Sequence, residues 1–210
     1  MQDVGRGGVR ELDELCDALL AHPFFKALLL DTDGGTVLDV AGGNGILSRT
    51  LADRGVRGLI VVDPKGLLPD ADDAFDVAAA RFREPKGGDD RWWHGGAGAS
   101  LARQADLDEL IAGARCLIGF RPCEATRAMV AFARRKRVPF ALVPCCAVAP
   151  WRTLPSTLNA LRRECGGAVT VTRLPSGERF MYATTWDAPA PARRRRRGAP
   201  DRPPPVYRLA

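Results

Sequence analysis

No apolar run in the 210-residue chain approaches the roughly 18 residues that a membrane-crossing helix needs. No membrane partner is therefore expected. The opening stretch MQDVGRGGVRELDELC lacks the basic-then-apolar order of a secretory signal, and an intracellular chain, cytoplasmic or nuclear, is expected. Six cysteines are present (Cys16, Cys116, Cys123, Cys145, Cys146 and Cys165), but none forms C-x-x-C, and the adjacent Cys145-Cys146 makes an awkward disulfide. Buried thiols are the plain reading for an intracellular chain. Histidine is scarce: His22, before Pro23, reads as a surface or capping residue, and His94 lies in RWWHGG. The net charge of +6 resembles a nucleic-acid signal, yet the run Arg193 to Arg197 supplies five of those charges and leaves the rest near neutral.

What is present is a soluble globular composition, 46% hydrophobic and 27% charged. The length suits one α/β domain with tails. Residues Met1 to Gly8 read as loose, and Leu12, Leu15, Leu19 and Leu20 fall at helical spacing, which predicts a helix over Glu11 to Ala21. A short helix near Phe24 to Leu30 follows Pro23. TVLDVA reads as a buried strand, ILSRTLADR as a helix and GLIVVD as a second buried strand. DDAFDVAAARFR reads as helical and DRWWHGG as a third strand. LARQADLDELIAGA is a helix, RCLIGF a fourth strand, EATRAMVAFARRKR a helix with Ala125, Met129, Phe132 and Ala133 on one face, and PFALVPCC a fifth strand. LPSTLNALRREC ends in glycines, as a helix C-terminus does. AVTVTRL and ERFMYATTW, joined by PSG, have the pattern of an antiparallel hairpin. Continuous apolar strands alternating with helices imply a parallel sheet covered on both faces.

The stretch from Val37 to Gly55, VLDVAGGNGILSRTLADRG, ends a strand in an acid and opens a helix through a glycine-rich turn. Such a turn lets a ligand lie against backbone amides at the helix N-terminus. The third glycine of the dinucleotide fingerprint G-x-G-x-x-G is missing, which disfavours NAD. DVAGGNG instead resembles the acid-x-G-x-G-x-G pattern of class I S-adenosylmethionine-dependent methyltransferases, with Ala41 in the first glycine's place. The resemblance covers roughly Thr36 to Trp186. It implies an α/β fold with a Rossmann-like, mostly parallel sheet of seven strands, closed by a C-terminal antiparallel hairpin and covered by helices on both faces. It also implies S-adenosyl-L-methionine as cofactor, held by Asp39, Ala41, Gly42, Gly43, Asn44 and Gly45. Asp63 and Pro64 lie at the end of the next strand, where an acid accepts ribose hydroxyls. Asp63 stands 20 residues after Gly43, one βαβ step.

Ligands of open α/β sheets bind beyond the strand C-termini at the switch point. The fourth and fifth strands end there in GFRPCEAT and LVPCC, which should bring Cys123, Cys145 and Cys146 together. The Asn/Asp-Pro-Pro-aromatic motif of amino-methylating enzymes is absent. The segments DVAGGNG, VVDP, GFRPCEAT and PFALVPCC resemble a eukaryotic methyltransferase group with DVAGGKG, PDQAT and PFAVVPCC. More distantly, the strand ends resemble tRNA ribose 2′-O-methyltransferases and methyltransferase-like proteins that pair HxCGxAT with a later CC. Arg121 stands where those have histidine, and Glu124 near their glycine. The candidate catalytic residues are accordingly Arg121 as an anion binder, Glu124 as a proton acceptor, and Cys123, Cys145 and Cys146.

Three readings of the cysteines stay open. They pack as small apolar residues; or Cys123 is a nucleophile, since Pro122-Cys123 and Cys145 resemble the two cysteines of RNA cytosine-5 methyltransferases; or Cys123, Cys145, Cys146 and His94 hold zinc. Adjacent ligands strain tetrahedral geometry, and no metal is assigned. Trp92 or Trp93 is a candidate to stack on adenine, although core packing explains both. The cations of ARRKR, Ala133 to Arg137, suit a helix C-terminus. The organisation expected is a helical extension over 1–30, a methyltransferase domain over 31–187 and a disordered Pro/Arg-rich tail over 188–210. The function expected is S-adenosylmethionine-dependent methyl transfer with RNA as the favoured acceptor. The alternative from another class is a methyltransferase-like binding or assembly factor that has lost catalysis.

Overall fold

The computed structural model describes residues 6–31, 35–64, 76–83, 92–95, 109, 111–145 and 153–186. Two helices, α1 (Arg6–Ala21) and α2 (Pro23–Leu30), precede the first strand. Then come β1 (Thr36–Val40), α3 (Ile46–Asp53), β2 (Leu59–Asp63), β3 (Asp76–Phe82), β4 (Trp93–Gly95), β5 (Ala114–Phe120), α4 (Ala125–Lys136), β6 (Phe140–Val143), α5 (Leu154–Glu164), β7 (Thr170–Arg173) and β8 (Arg179–Ala183). One sheet runs in the order β4-β3-β2-β1-β5-β6-β8-β7. The strands β3, β2, β1, β5 and β6 are mutually parallel, β8 is antiparallel to β6, and the β7–β8 hairpin closes that edge.

The burial pattern explains why the parallel strands form. All five residues of β2 and all four of β6 are buried, so each strand must be covered on both faces, as helical crossovers do. On one face lie α4 and α5, with Leu38, Ile60, Leu117, Met129, Phe132 and Leu161 in a shared core. On the other lie α1, α2 and α3, with Leu15, Leu19, Phe25, Leu51, Val61 and Ile118. The first two helices thus share a core with the sheet. Helix α1 reaches upstream to Arg6, beyond the expected start at Glu11, and an Arg10–Glu14 pair at 3.1 Å staples consecutive turns.

Three sequence expectations need correcting. Asp76–Phe82, read as helical from its alanines, is the third parallel strand, paired in register with Ile60–Asp63 of β2. Ala78, Ala80 and Phe82 face one core in a period of two, and pairing beside a buried strand overrides alanine's helix propensity. Trp93–Gly95 is a strand, but a three-residue antiparallel one outside β3. The described sheet therefore has eight strands where seven were expected. Finally, His22 is the N-cap residue of α2, as a capping role requires, but its side chain makes no capping bond; half-buried, its ring instead makes edge contacts with Phe25 and Tyr182. The helix expected over LARQADLDELIAGA lies mostly outside the described residues.

Candidate cofactor turn and thiol pair

After β1 the chain crosses to α3 on one face of the sheet, while after β5, its neighbour, it crosses to α4 on the other. Two adjacent parallel strands whose crossovers leave toward opposite faces define the switch point, with a cleft at their C-terminal ends. The two stretches singled out in the sequence, AGGNG and RPCEA, are the turns that flank this cleft.

The first turn is built around two carboxylates. Asp39, in β1, is fully buried; its Oδ2 accepts a 2.9 Å hydrogen bond from Ser48 Oγ of α3. Its Oδ1 is buried with no hydrogen-bond partner. Burial is the main reason its carboxyl is pushed up to about 7; Ser48 opposes the shift, and the charge of Asp63 adds to it. Gly42 lies directly over this carboxylate, and a Cβ there would sit 2.7 Å from Asp39 Cγ. Gly43 holds φ +60° with open space where a side chain would project. Its N–H donates to Asp63 Oδ2 at 3.1 Å, which ties the turn after β1 to the end of β2. Gly45, at φ +73°, is the N-cap of α3. Ala41 holds φ +57°, a left-handed conformation that glycine takes without cost. Asn44 is exposed in the turn, and Pro64 is exposed just beyond Asp63.

The second turn is more crowded. Arg121 and Cys123 both have positive φ, +57° and +46°, on either side of buried Pro122. The Arg121 N–H donates 2.8 Å to Val143 O, so the turn continues the β5–β6 ladder. The Arg121 guanidinium pairs with Glu11 of α1 and, at 3.2 Å, with Glu178 of the β7–β8 hairpin. The anions it binds are thus the protein's own, and it joins three separate elements at the rim. Glu124 is exposed at the N-cap of α4, where its side chain makes no capping bond. The Sγ atoms of Cys123 and Cys145 are 2.9 Å apart.

Cys146 lies outside the described residues, as do the side chains of Trp93 and His94. Trp92 is core, 4% exposed and packed edge-on against Phe132. Among the described residues no cluster of three or more metal-ligating side chains occurs. No helix among them is long and apolar enough to cross a membrane.

Two features escaped sequence reasoning. Ser48, which anchors Asp39, looked like an ordinary helix residue, although its place in the first turn of α3 was a signal. Glu11 and Glu178 lie far from Arg121 in the chain, and nothing local marks them as its partners.

No protein-family model matches the chain, and no curated protein matches it. Solved structures that resemble it include a methyltransferase from Aquifex aeolicus described as S-adenosylmethionine-dependent, with TM-score 0.45 and 12% identity over 83% of this chain and 95% of that one. Another is the Burkholderia thailandensis 1,6-didemethyltoxoflavin-N1-methyltransferase bound to 1,6-didemethyltoxoflavin and S-adenosylhomocysteine, with TM-score 0.41 and 15% identity over 83% and 76%. A Thermoplasma acidophilum protein gives TM-score 0.40 and 15% identity over 86% and 98%. At TM-scores below 0.5 none of these likenesses decides the function.

Proposed function

We propose that this chain binds S-adenosylmethionine at the turn after β1 and transfers its methyl group to an acceptor held over the turn after β5. The observation that carries the reading is the Gly43 N–H bond to Asp63 across the ends of two parallel strands. It brings the glycine turn and the acid together at the switch point, as recognition of an amino-acid moiety and a ribose requires. The sheet order supports it further, because β8 is antiparallel and inserted between β6 and β7, unlike the all-parallel sheet of dinucleotide folds.

The residues present fit the cofactor. Open space at Gly43 leaves a cradle that a side chain would fill, and the N-terminus of α3 opens at Gly45 beside it. In this reading Gly42, Gly43, Asn44 and Gly45 present backbone to the methionine moiety, with Ala41 shaping the entry. Asp63 accepts ribose hydroxyls, and Pro64 fixes the chain that leaves it. Asp39 holds the turn from below through Ser48. When bound, the cofactor supplies a methyl group on a positively charged sulfur, an electrophile that needs no activation by the protein. The chain's task is alignment, and positioning supplies much of the rate in such reactions.

RNA is the favoured acceptor. Exposed cations end α4 (Arg134, Arg135, Lys136) and α5 (Arg162, Arg163), and the latter two line a groove of about 790 Å³ with Asn159, Gly166 and Gly167. α4 spans about 18 Å at 1.5 Å per residue, so a polyanion reaching from these cations to the turn after β5 would lie along it. A second reading, RNA cytosine-5 methylation with Cys123 as nucleophile, is favoured by the placement of Cys145 beside it. A binding factor without catalysis is favoured by Arg121, whose charge is already met by two carboxylates.

Isothermal titration with S-adenosylmethionine and, separately, NAD tests the assignment. Micromolar binding of the first alone supports it, and binding of neither overturns it. Transfer of labelled methyl groups to total RNA then separates enzyme from binding factor. A covalent RNA adduct lost in Cys123→Ala marks the cytosine reading.

A further inference from the structure

We propose that Cys123 and Cys145 form a reversible intramolecular disulfide, making this edge of the sheet a thiol-oxidation site for low-molecular-weight disulfides. The backbone brings the two residues together. β5 and β6 are neighbouring parallel strands with Phe120 opposite Val143. Arg121 N–H extends the ladder by a 2.8 Å bond to Val143 O. Cys123 and Cys145 thus leave the sheet side by side, three and two residues past a paired position. Their sulfurs, 2.9 Å apart, lie inside ordinary sulfur–sulfur contact, and only a small closure separates them from a bond.

The setting favours exchange at this pair over the other described thiols. Cys16, Cys116 and Cys165 are buried, and burial pushes their thiols up to about 12, 12 and 11; thiols held neutral and away from solvent are poor nucleophiles. Cys123 and Cys145 are each partly exposed at the rim. Arg121 and Cys123 hold left-handed backbone, a strained geometry that the surrounding elements enforce, through the Glu11 and Glu178 pairs on Arg121. The turn therefore presents the Cys123 sulfur to Cys145 in a fixed direction.

The chemistry balances with a small disulfide RSSR as oxidant. One thiolate attacks a sulfur of RSSR, forming a mixed disulfide and releasing RS⁻, which takes up the proton lost from the attacking thiol. The second thiolate then attacks the protein sulfur of the mixed disulfide. A Cys123–Cys145 bond forms, the mixed disulfide breaks, and a second RSH leaves. Two thiols are oxidised, and one RSSR is reduced to two RSH. A dithiol reductant reverses the sequence.

The test needs only the full-length protein, and it does not depend on whether the chain binds S-adenosylmethionine. Reduced protein is incubated with oxidised glutathione, the remaining thiols are alkylated under denaturing conditions, and intact mass is recorded. The expected result is a species lighter by two hydrogens with two fewer alkylated thiols, restored by dithiothreitol. It should be lost in Cys123→Ser and in Cys145→Ser but kept in Cys146→Ser. Thermal melts of each variant in reductant check folding. As a check that needs no variant, oxidation should protect both thiols together from alkylation in the native protein. A stable glutathione adduct, unchanged thiols, or a bridge that survives Cys145→Ser but not Cys146→Ser would overturn the proposal.

Discussion

The two turns that flank the cleft leave neighbouring strands and solve opposite problems. After β1 the backbone is stripped of side chains, with Gly42 pressed onto Asp39 and Gly43 facing open space. After β5 the same left-handed geometry is held by Arg121 and Cys123, whose side chains are fastened by ion pairs and by a second thiol. In the proposed reading the first turn receives the cofactor along its backbone. The second spends side-chain contacts to hold a position, and its strain is confined by α1 and the hairpin. Glycines leave the backbone of the first turn open, whereas bulky residues at positive φ in the second are held by contacts with the rest of the fold.

The largest effect is expected in the second turn. Closing a loop of about 22 residues with a disulfide stabilises by about 3 kcal/mol in the chain-entropy treatment. Denaturant unfolding of oxidised against reduced protein should differ by that order, and no difference would mean that the bridge strains the turn. In the first turn, Gly42→Ala places a Cβ 2.7 Å from the Asp39 carboxyl carbon, with an expected loss of about 1–3 kcal/mol. A melt equal to wild type would show that the turn can lift.

The carboxylate beneath also sets a pH dependence. Its value in the folded chain is raised from 3.8 to about 7. The folded state thus holds this proton more tightly than the unfolded chain, and Asp39's contribution is fully present below about 4 and lost as pH rises toward 7. Asp39→Asn should flatten that part of the stability–pH curve, and an unchanged slope would assign it to other groups. Asp63→Ala should weaken S-adenosylmethionine binding at least tenfold, about 1.4 kcal/mol, as read by titration; unchanged affinity would remove Asp63 from the site. The smallest effect expected is in Ala41→Gly. Relief of the left-handed alanine and the greater freedom of unfolded glycine nearly offset each other, which leaves a change within about 1 kcal/mol by thermal melt.

Much of this arrangement was legible. The turn between β1 and α3 could be read because its signal is local: a strand run, an acid, glycines and a helical restart lie within 19 residues. Asp63 was placed by the regular length of a βαβ step. The third strand was misread because alanine signals helix on its own, and only the register with β2 and the packing of Phe82 against Phe132 make it a strand. Arg121 was expected to meet a ligand's anion; its partners lie 110 and 57 residues away, and no local pattern encodes such distances.

The βα alternation, the glycine turn and its acid, and the convergence of Cys123 with Cys145 can all be read from the order of residues, because each follows from hydrophobic periodicity and from what strand ends must do. Only the folded chain shows the eighth strand and the pairing of Arg121 with α1 and the hairpin. Those features depend on which segments meet after folding, and long-range contacts leave no trace in the local order of residues.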